Sequence, residues 1–321
     1  MFSMLNTGFL VAVLVTASTV HAQDYPARPI RMVVAVAPAG PTDILGRIIG
    51  QKLTEKWGQA VIIDNRPGGG QVIGADIVAK SPPDGYTLFM GTNTFAVNPA
   101  LFKKLPFDSL RDFAPITLVA EIPLVLVVHP SVPAKTLKEL IALGKSRPRQ
   151  LIYASSGTSS SLRLAAELMQ AMSGMEMVHV PYKGSGPAAT DLISGQVQLM
   201  FGNPLVVAPQ VKAGRLRAIA ITSERRASVL PELPTMSEAG LPGYSAGSWF
   251  GLMAPGKVSG AIVNLLNTEV VRILKTPEVT VRITGDGAMI IGNTPQEFAA
   301  YIKADMDKWA KVIRASGITP D

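Results

Sequence analysis

The chain has no cysteine. Disulfides, thiolate metal sites, a cysteine nucleophile and a lipid anchor on cysteine are therefore excluded. Histidine is scarce, with three in 321 residues. His21 lies in an N-terminal apolar segment, which leaves His129 and His179 for acid–base chemistry, and both sit in apolar runs that suit packed strand residues better. Aromatics make up only 6% and are not interleaved with basic residues, so a nucleic-acid platform is not expected. His-Glu-x-x-His is missing, as is any His/Asp/Glu cluster with metal spacing. No nucleophile, base and orienting group assemble, so no catalytic residue, metal or cofactor is expected.

What is present describes a folded, exported chain. Hydrophobic residues are 47%, which excludes disorder. The 29 Gly and 25 Pro are aperiodic, which excludes collagen-like and low-complexity readings. Lys and Arg number 30 against 23 Asp and Glu, a net charge of +7. These cations are scattered. The densest group, Lys145, Arg147 and Arg149, fits a solvated helix end and turn. Such a balance can attract nucleic acid, anionic lipid or anionic solutes, and scattered cations make nucleic acid the unexpected one.

Residues 9–15 are an apolar run, too short for a span, which needs about 20 residues. The run leads to Val20, His21 and Ala22, a small-x-small pattern. The segment 1–22 is expected to be a signal peptide cleaved after Ala22, although no Lys or Arg precedes it. The product is expected in the periplasm.

The length, past the roughly 250–300 residues at which single cores stop growing, predicts two lobes. Residues 30–36, 61–63 and 87–90 read as strands. The helix between the first two carries Ile44, Leu45, Ile48, Ile49 and Leu53 on one face. This is a β-α-β-α-β unit, the start of an open parallel sheet. Residues 115–128 are nearly continuously apolar and read as strands passing between lobes. A second series has strands at 151–153, 177–180, 197–201 and 216–221. Thr136 with Glu139, and Thr294 with Glu297, are capping-box pairs that open helices. Residues 223–247 read as a surface connection, and 248–253 as a strand returning to the first lobe. Asp305 and Asp307, among lysines on the C-terminal helix, read as a solvated face. The lobes are expected at 23–122 with 246–321, and at 123–245. Ligands of open α/β sheets sit beyond the carboxyl ends of strands, in the cleft between such lobes. The loops to weigh are 37–43, 65–71, 91–98, 154–161, 182–187 and 202–205.

Gly68, Gly69, Gly70 and Gly74 resemble a loose dinucleotide fingerprint, but a tight turn using unusual φ/ψ is the better reading. Pro38, Ala39, Gly40, Pro41, Thr42 and Asp43 form a rigid loop before a helix whose free N–H groups favour anions. Asp43 repels an anion directly, but can orient water, balance the dipole or pin loop N–H groups. Residues 153–161 hold five Ser and one Thr at a strand-to-helix junction, either a cap and turn or donors for a carboxylate. Lys183 is either a cation near the cleft or an exposed turn residue.

These loops, in this order, resemble the Bug family of extracytoplasmic solute receptors linked to tripartite tricarboxylate transporters. The resemblance runs from about residue 25 to 317. It rests on Pro41, Thr42 and Asp43, on residues 65–69 and 83–87, on 180–184 and on 248–251. It implies an α/β, two-lobed type II periplasmic-binding-protein fold that closes on a small carboxylate, without catalysis. By that analogy one carboxylate, or its waters, meets Gly40, Thr42 and Asp43, and Ser155, Ser156 and Gly157 contribute from the other lobe. The sequence departs from the family at Ala39, where a Gly is usual, at Ser159, a frequent Gly, and at Arg163, where His is common. Arg163, if it faces the cleft, can pair with a dianion. Pro38, Gly69, Thr92, Asn93, Lys183 and Asn203 complete the candidate ligand-binding set. The expected function is capture of an organic carboxylate by a monomer, with delivery to membrane transporter subunits and no nucleic-acid partner. A sensory receptor acting on a membrane kinase and, further off, an exported Ser-dependent hydrolase are the alternatives. The hydrolase needs a His brought beside one of the serines.

Overall fold

A computed structural model describes residues 25–317, apart from 39, 158, 159, 183, 228, 229 and 286. The segment 1–22 and its cleavage site lie outside the described residues. The chain opens with β1 (Ile30–Val34), α1 (Pro41–Trp57), β2 (Val61–Asn65), a 3-10 turn (Gly69–Gln71) and α2 (Val72–Ala79). β3 (Thr87–Thr92), α3 (Asn93–Leu101) and β4 (Phe113–Pro123) follow. Beyond Leu124 come β5 (Val125–Val128), α4 (Leu137–Ser146), β6 (Leu151–Ser155), α5 (Ser161–Ser173), β7 (Met177–Pro181) and α6 (Ser185–Ile193). The series ends with β8 (Leu199–Gly202), α7 (Pro204–Lys212) and β9 (Arg217–Ile221). The return consists of β10 (Gly247–Pro255), α8 (Gly260–Leu274), α9 (Pro277–Thr284), β11 (Met289–Ile290) and α10 (Pro295–Ser316).

Among the described residues the strands form two sheets. One has six strands in the order β11-β4-β10-β3-β1-β2, the other five in the order β7-β6-β8-β5-β9. β1 is parallel to β2 and β3, and β6 is parallel to β7 and β8. The crossing strands are antiparallel to their neighbours, so each sheet is mixed where an open parallel sheet was expected. Parallel strands covered on both faces must be apolar on both, and β1 shows it. Ile30, Met32 and Val34 enter one core, and Val33 the core on the opposite face.

The chain leaves the first sheet at Leu124 and returns between Ile221 and Gly247. The two passages are stitched together. Leu124 N donates to Thr222 Oγ1 at 2.7 Å, and Thr222 N donates to Leu124 O at 2.9 Å. Ala246 N donates to Thr222 O at 3.1 Å. α10 ties the lobes a third time. Its Phe298 and Ile302 join a core of the six-stranded sheet, while Trp309, Val312 and Ile313 join the core of the five-stranded one.

Three local expectations change. Residues 91–98 are not a loop, since α3 starts at Asn93, capped by the Thr92 side chain on Thr94 N. Residues 223–247 are not only surface. Leu230, Leu233, Met236, Leu241 and Tyr244 are buried in the core of the second lobe. Asp305 is not solvated. It is 5% exposed and accepts from the Trp249 indole N–H at 2.9 Å.

Candidate functional site

The β1–α1 loop ends on Gly40, which caps α1 with extended backbone, and Pro41 occupies the first turn, where a missing N–H is harmless. Thr42 and Asp43 are buried, with 4% and 2% exposure. The Asp43 carboxylate accepts from Asn65 Nδ2 at 2.9 Å and from Arg47 Nε at 2.9 Å. Asn65 Nδ2 also donates to Val36 O at 3.1 Å. Asp43 thus ties α1 to the end of β2 and fixes the loop. Its charge also lies in the first helical turn, where the helix dipole stabilises it. Pro38 and Gly40 stand on this loop, while Ala39 lies outside the described residues.

The glycine cluster is a tight turn. Gly68, Gly69 and Gly70 have φ of 126°, 54° and 59°, the left-handed region where a Cβ is strained. This geometry carries the next residue, Gln71, across to β3, where its Nε2 donates to Thr92 Oγ1 at 2.6 Å. Asn98 Nδ2 donates to Gly70 O at 2.8 Å. These bonds seat the glycine turn that carries Gly69 against the β3–α3 junction, where Thr92 and Asn93 are buried.

In the second lobe, Ser155 ends β6 and is fully buried. Its hydroxyl donates to Gly157 O at 2.9 Å and accepts from Gly157 N at 3.3 Å. Gly157 has φ 144°, which only glycine adopts freely. Ser160 then caps α5 through Arg163 N. Ser156 stands in this turn, and Ser159 lies outside the described residues. His179 Nε2 lies 2.7 Å from Ser155 Oγ. β6 pairs with β7 so that Tyr153 faces His179, and the two rings stack 4.9 Å apart. Burial, and then the Arg163 charge, lower the His179 pKa to about 4, so the ring is neutral near pH 7. Tyr182 N donates to Ser155 O at 2.9 Å, which seats the β7–α6 loop against the serine turn. Lys183, the next residue, lies outside the described residues.

Arg163 does not stand alone. Its Nε lies 3.3 Å from Glu167 Oε1, and the two side chains are 13% and 11% exposed. The same Oε1 accepts from Tyr153 OH at 2.8 Å, and Oε2 accepts from Gln170 Nε2 at 3.0 Å. Arg163 is thus built into a polar network under the serine turn. Asn203 caps α7, its Oδ1 accepting from Leu205 N at 3.0 Å. The starts of α1 and α7 line one chamber between the lobes, which brings Asn203 opposite Pro41. Among the described residues no group of His, Asp and Glu is arranged to hold a metal, and no helix is long and apolar enough to cross a membrane.

The sequence profile of the tripartite tricarboxylate transporter family receptor, TctC, matches residues 45–318. The chain belongs to the TctC family. BugT of Bordetella pertussis is 38% identical over 312 residues, 97% of this chain and 96% of BugT. The structure resembles that of R. palustris Rpa4515 with adipate, with TM-score 0.74, 38% identity, and coverage of 93% of this chain and all of that one. MatC from Rhodopseudomonas palustris with bound malate gives TM-score 0.70 and 33% identity, over 90% of this chain and all of MatC.

TctC receptors are extracytoplasmic binding proteins of the two-lobed periplasmic type, not enzymes, and this chain is one of them. The Ser155–His179 contact agrees with that. The direction of that hydrogen bond follows the His179 tautomer, but Ser155 is fully buried at the end of β6, where no substrate reaches its oxygen. Among the described residues no carboxylate orients the other ring nitrogen. Reading the sequence left His179, Tyr153 and Glu167 out of the site. The Arg163–Glu167 pair was open to inspection, since residues four apart on a helix are neighbours. The His179 contact was not, because it depends on which residue of β7 faces which of β6.

Proposed function

We propose that this receptor captures a small organic carboxylate between its lobes in the periplasm and hands the closed form to the membrane subunits of a tripartite tricarboxylate-type transporter. The observation that carries this reading is the crossing at Leu124 and Thr222, with helix starts of the two lobes, α1 and α7, lining one space. A helix start presents a positive dipole end to an anion, and at α7, where Asn203 takes the N–H groups of Leu205, Val206 and Val207, the dipole acts without a free donor. The crossing strands are few enough to act as a hinge, so closure around the solute is a rigid-body rotation of the lobes. Adipate in Rpa4515 and malate in MatC support the choice of a carboxylate. In this reading residues 1–22 are removed on export, and the receptor acts as a monomer with lobes at 23–122 plus 246–321 and at 123–245. The loops bearing Gly40, Thr42 and Asp43, Gly69, Thr92 and Asn93, and Ser155 to Gly157 surround the ligand. Asp43 and Ser155 act by fixing their loops, and backbone N–H groups and waters meet the anion.

A thermal-shift screen of the purified protein against mono-, di- and tricarboxylates and against uncharged solutes of similar size tests the reading. A ligand at 100 times its Kd stabilises the fold by about 2.7 kcal/mol, a clear upward shift. Shifts confined to uncharged solutes would overturn the anion assignment.

A further inference from the structure

The space between α1 and α7 has a chemistry that the loops do not share. It is a chamber of about 250 Å3. Ile44, Leu45 and Ile48 of α1 form one wall, Leu205 of α7 faces them, and Ile122, just before the crossing, lies between. Ile283 and Ala288, from α9 and the turn after it, close a further side. Ile44 is 36% exposed and Leu205 is 53% exposed. Two large apolar side chains from opposite lobes thus stand in water across a gap, and covering them is favourable. Two polar side chains complete the lining, Asn203 and Arg282. The Asn203 oxygen is already used in capping α7. Arg282, on the last turn of α9, is exposed and makes no hydrogen bond or ion pair among the described residues.

An apolar chamber with one unpaired guanidinium is complementary to an apolar chain that ends in an anion. Guanidinium matches carboxylate in a two-bond fork, and the pairing strengthens where apolar walls exclude water. We infer that the chamber takes the apolar body of the captured solute and that Arg282 pairs with a second carboxylate at its far end, which makes unsubstituted α,ω-dicarboxylates the ligand class. The inference rests on the receptor reading above and gives that site its substrate class.

Titration calorimetry of the purified protein with succinate, glutarate, adipate, pimelate and suberate, with hexanoate and octanoate, and with malate provides the test. Each added methylene is expected to tighten binding about fourfold until the chamber is full. Arg282→Gln is expected to weaken the best diacid about tenfold or more. The same variant is expected to leave the monoacid of equal length within about threefold, because only the far carboxylate loses its partner. Arg282 is exposed, so its replacement leaves the fold intact, and an unchanged melting temperature without ligand checks this. Leu205→Asn, which makes one wall polar, is expected to weaken diacid and monoacid alike. Unchanged diacid affinity in Arg282→Gln, or equal losses for diacid and monoacid, would overturn the assignment of Arg282. Binding of malate with none of the unsubstituted acids would overturn the apolar chamber and keep the receptor. Binding of no acid at all would remove the receptor reading as well.

Discussion

Asp305 and Asp307 stand two residues apart on α10, and the structure gives them opposite weights. The Asp305 side chain is 4% exposed. One oxygen accepts from Trp249 Nε1 at 2.9 Å, and the other lies 2.8 Å from Lys308 Nζ. Trp249 is 1% exposed and sits on β10, just after the chain re-enters the first lobe. Asp305→Ala leaves its indole N–H buried without an acceptor, at a cost of about 1–3 kcal/mol. It also removes an ion pair. Breaking a fully buried pair costs about 3–5 kcal/mol, but Lys308 is 30% exposed and keeps Ser245 O at 3.0 Å, so its ammonium is not stranded. A total of about 2–4 kcal/mol follows. Asp307 pairs with Lys303 one turn away, with the side chains 62% and 65% exposed, and exposed pairs of this kind contribute little. Urea unfolding followed by tryptophan fluorescence reads both variants directly, since Trp249 and Trp309 flank the crossing. Asp305→Ala is expected to lower the midpoint strongly, Asp305→Asn less because it keeps an acceptor, and Asp307→Ala not measurably. Equal midpoints for the two alanine variants would refute the assignment of Asp305 as the tie between β10 and α10.

Three further outcomes follow from the same geometry. The folded His179 pKa of about 4 lies below the ordinary 6.5, so the unfolded chain binds more protons between these values and stability falls as pH drops through that window. With solvent screening discounted, the loss attributable to this ring is about 1–2 kcal/mol, complete near pH 4 and absent above pH 6.5, and His179→Gln is expected to flatten that part of a melting-temperature profile. Gly251→Ala places a Cβ 2.1 Å from Phe298 Cζ, and is expected to cost about 1–3 kcal/mol or more in urea unfolding, because the ring is fully buried and cannot yield. Thr222→Val keeps the shape but removes the acceptor of the buried Leu124 N–H, and is expected to cost about 1–3 kcal/mol by the same measurement.

Features carried by neighbouring residues were legible in the sequence. Both capping boxes, at Thr136 and Thr294, open the helices they predict. The apolar runs gave strands, the order of loops gave the family, and the glycine run at 68–70 proved to be a turn with positive φ. Features set by distant partners were hidden. Asn93, Thr94, Asn98 and Pro99 are poor helix formers, so a loop was the natural reading of 91–98. The helix exists because Thr92 caps it, Asn98 reaches back to Gly70, and its buried face packs into the lobe. Asp305 lies among lysines, and only Trp249, 56 positions earlier, makes it a core residue.

The candidate site divides along the same line. A loop before a helix announces an anion-binding start from its own residues, because Gly, Pro and Ser act locally. What the loop does with its charged members depends on tertiary structure. Asp43 looks like an obstacle to an anion until Asn65 and Arg47 are placed on its oxygens, and it then holds the loop in shape. Arg163 looks like a free cation until Glu167, itself held by Tyr153 and Gln170, is placed beside it. Arg282 attracts no notice in the sequence, because nothing near it in the chain suggests a site. It acquires one only when Ile44 and Leu205, from two other parts of the chain, are folded beside it. Loop chemistry therefore supports the proposal of an anionic solute, while the residues proposed to choose among anions come from elements far apart in sequence and are found only by folding.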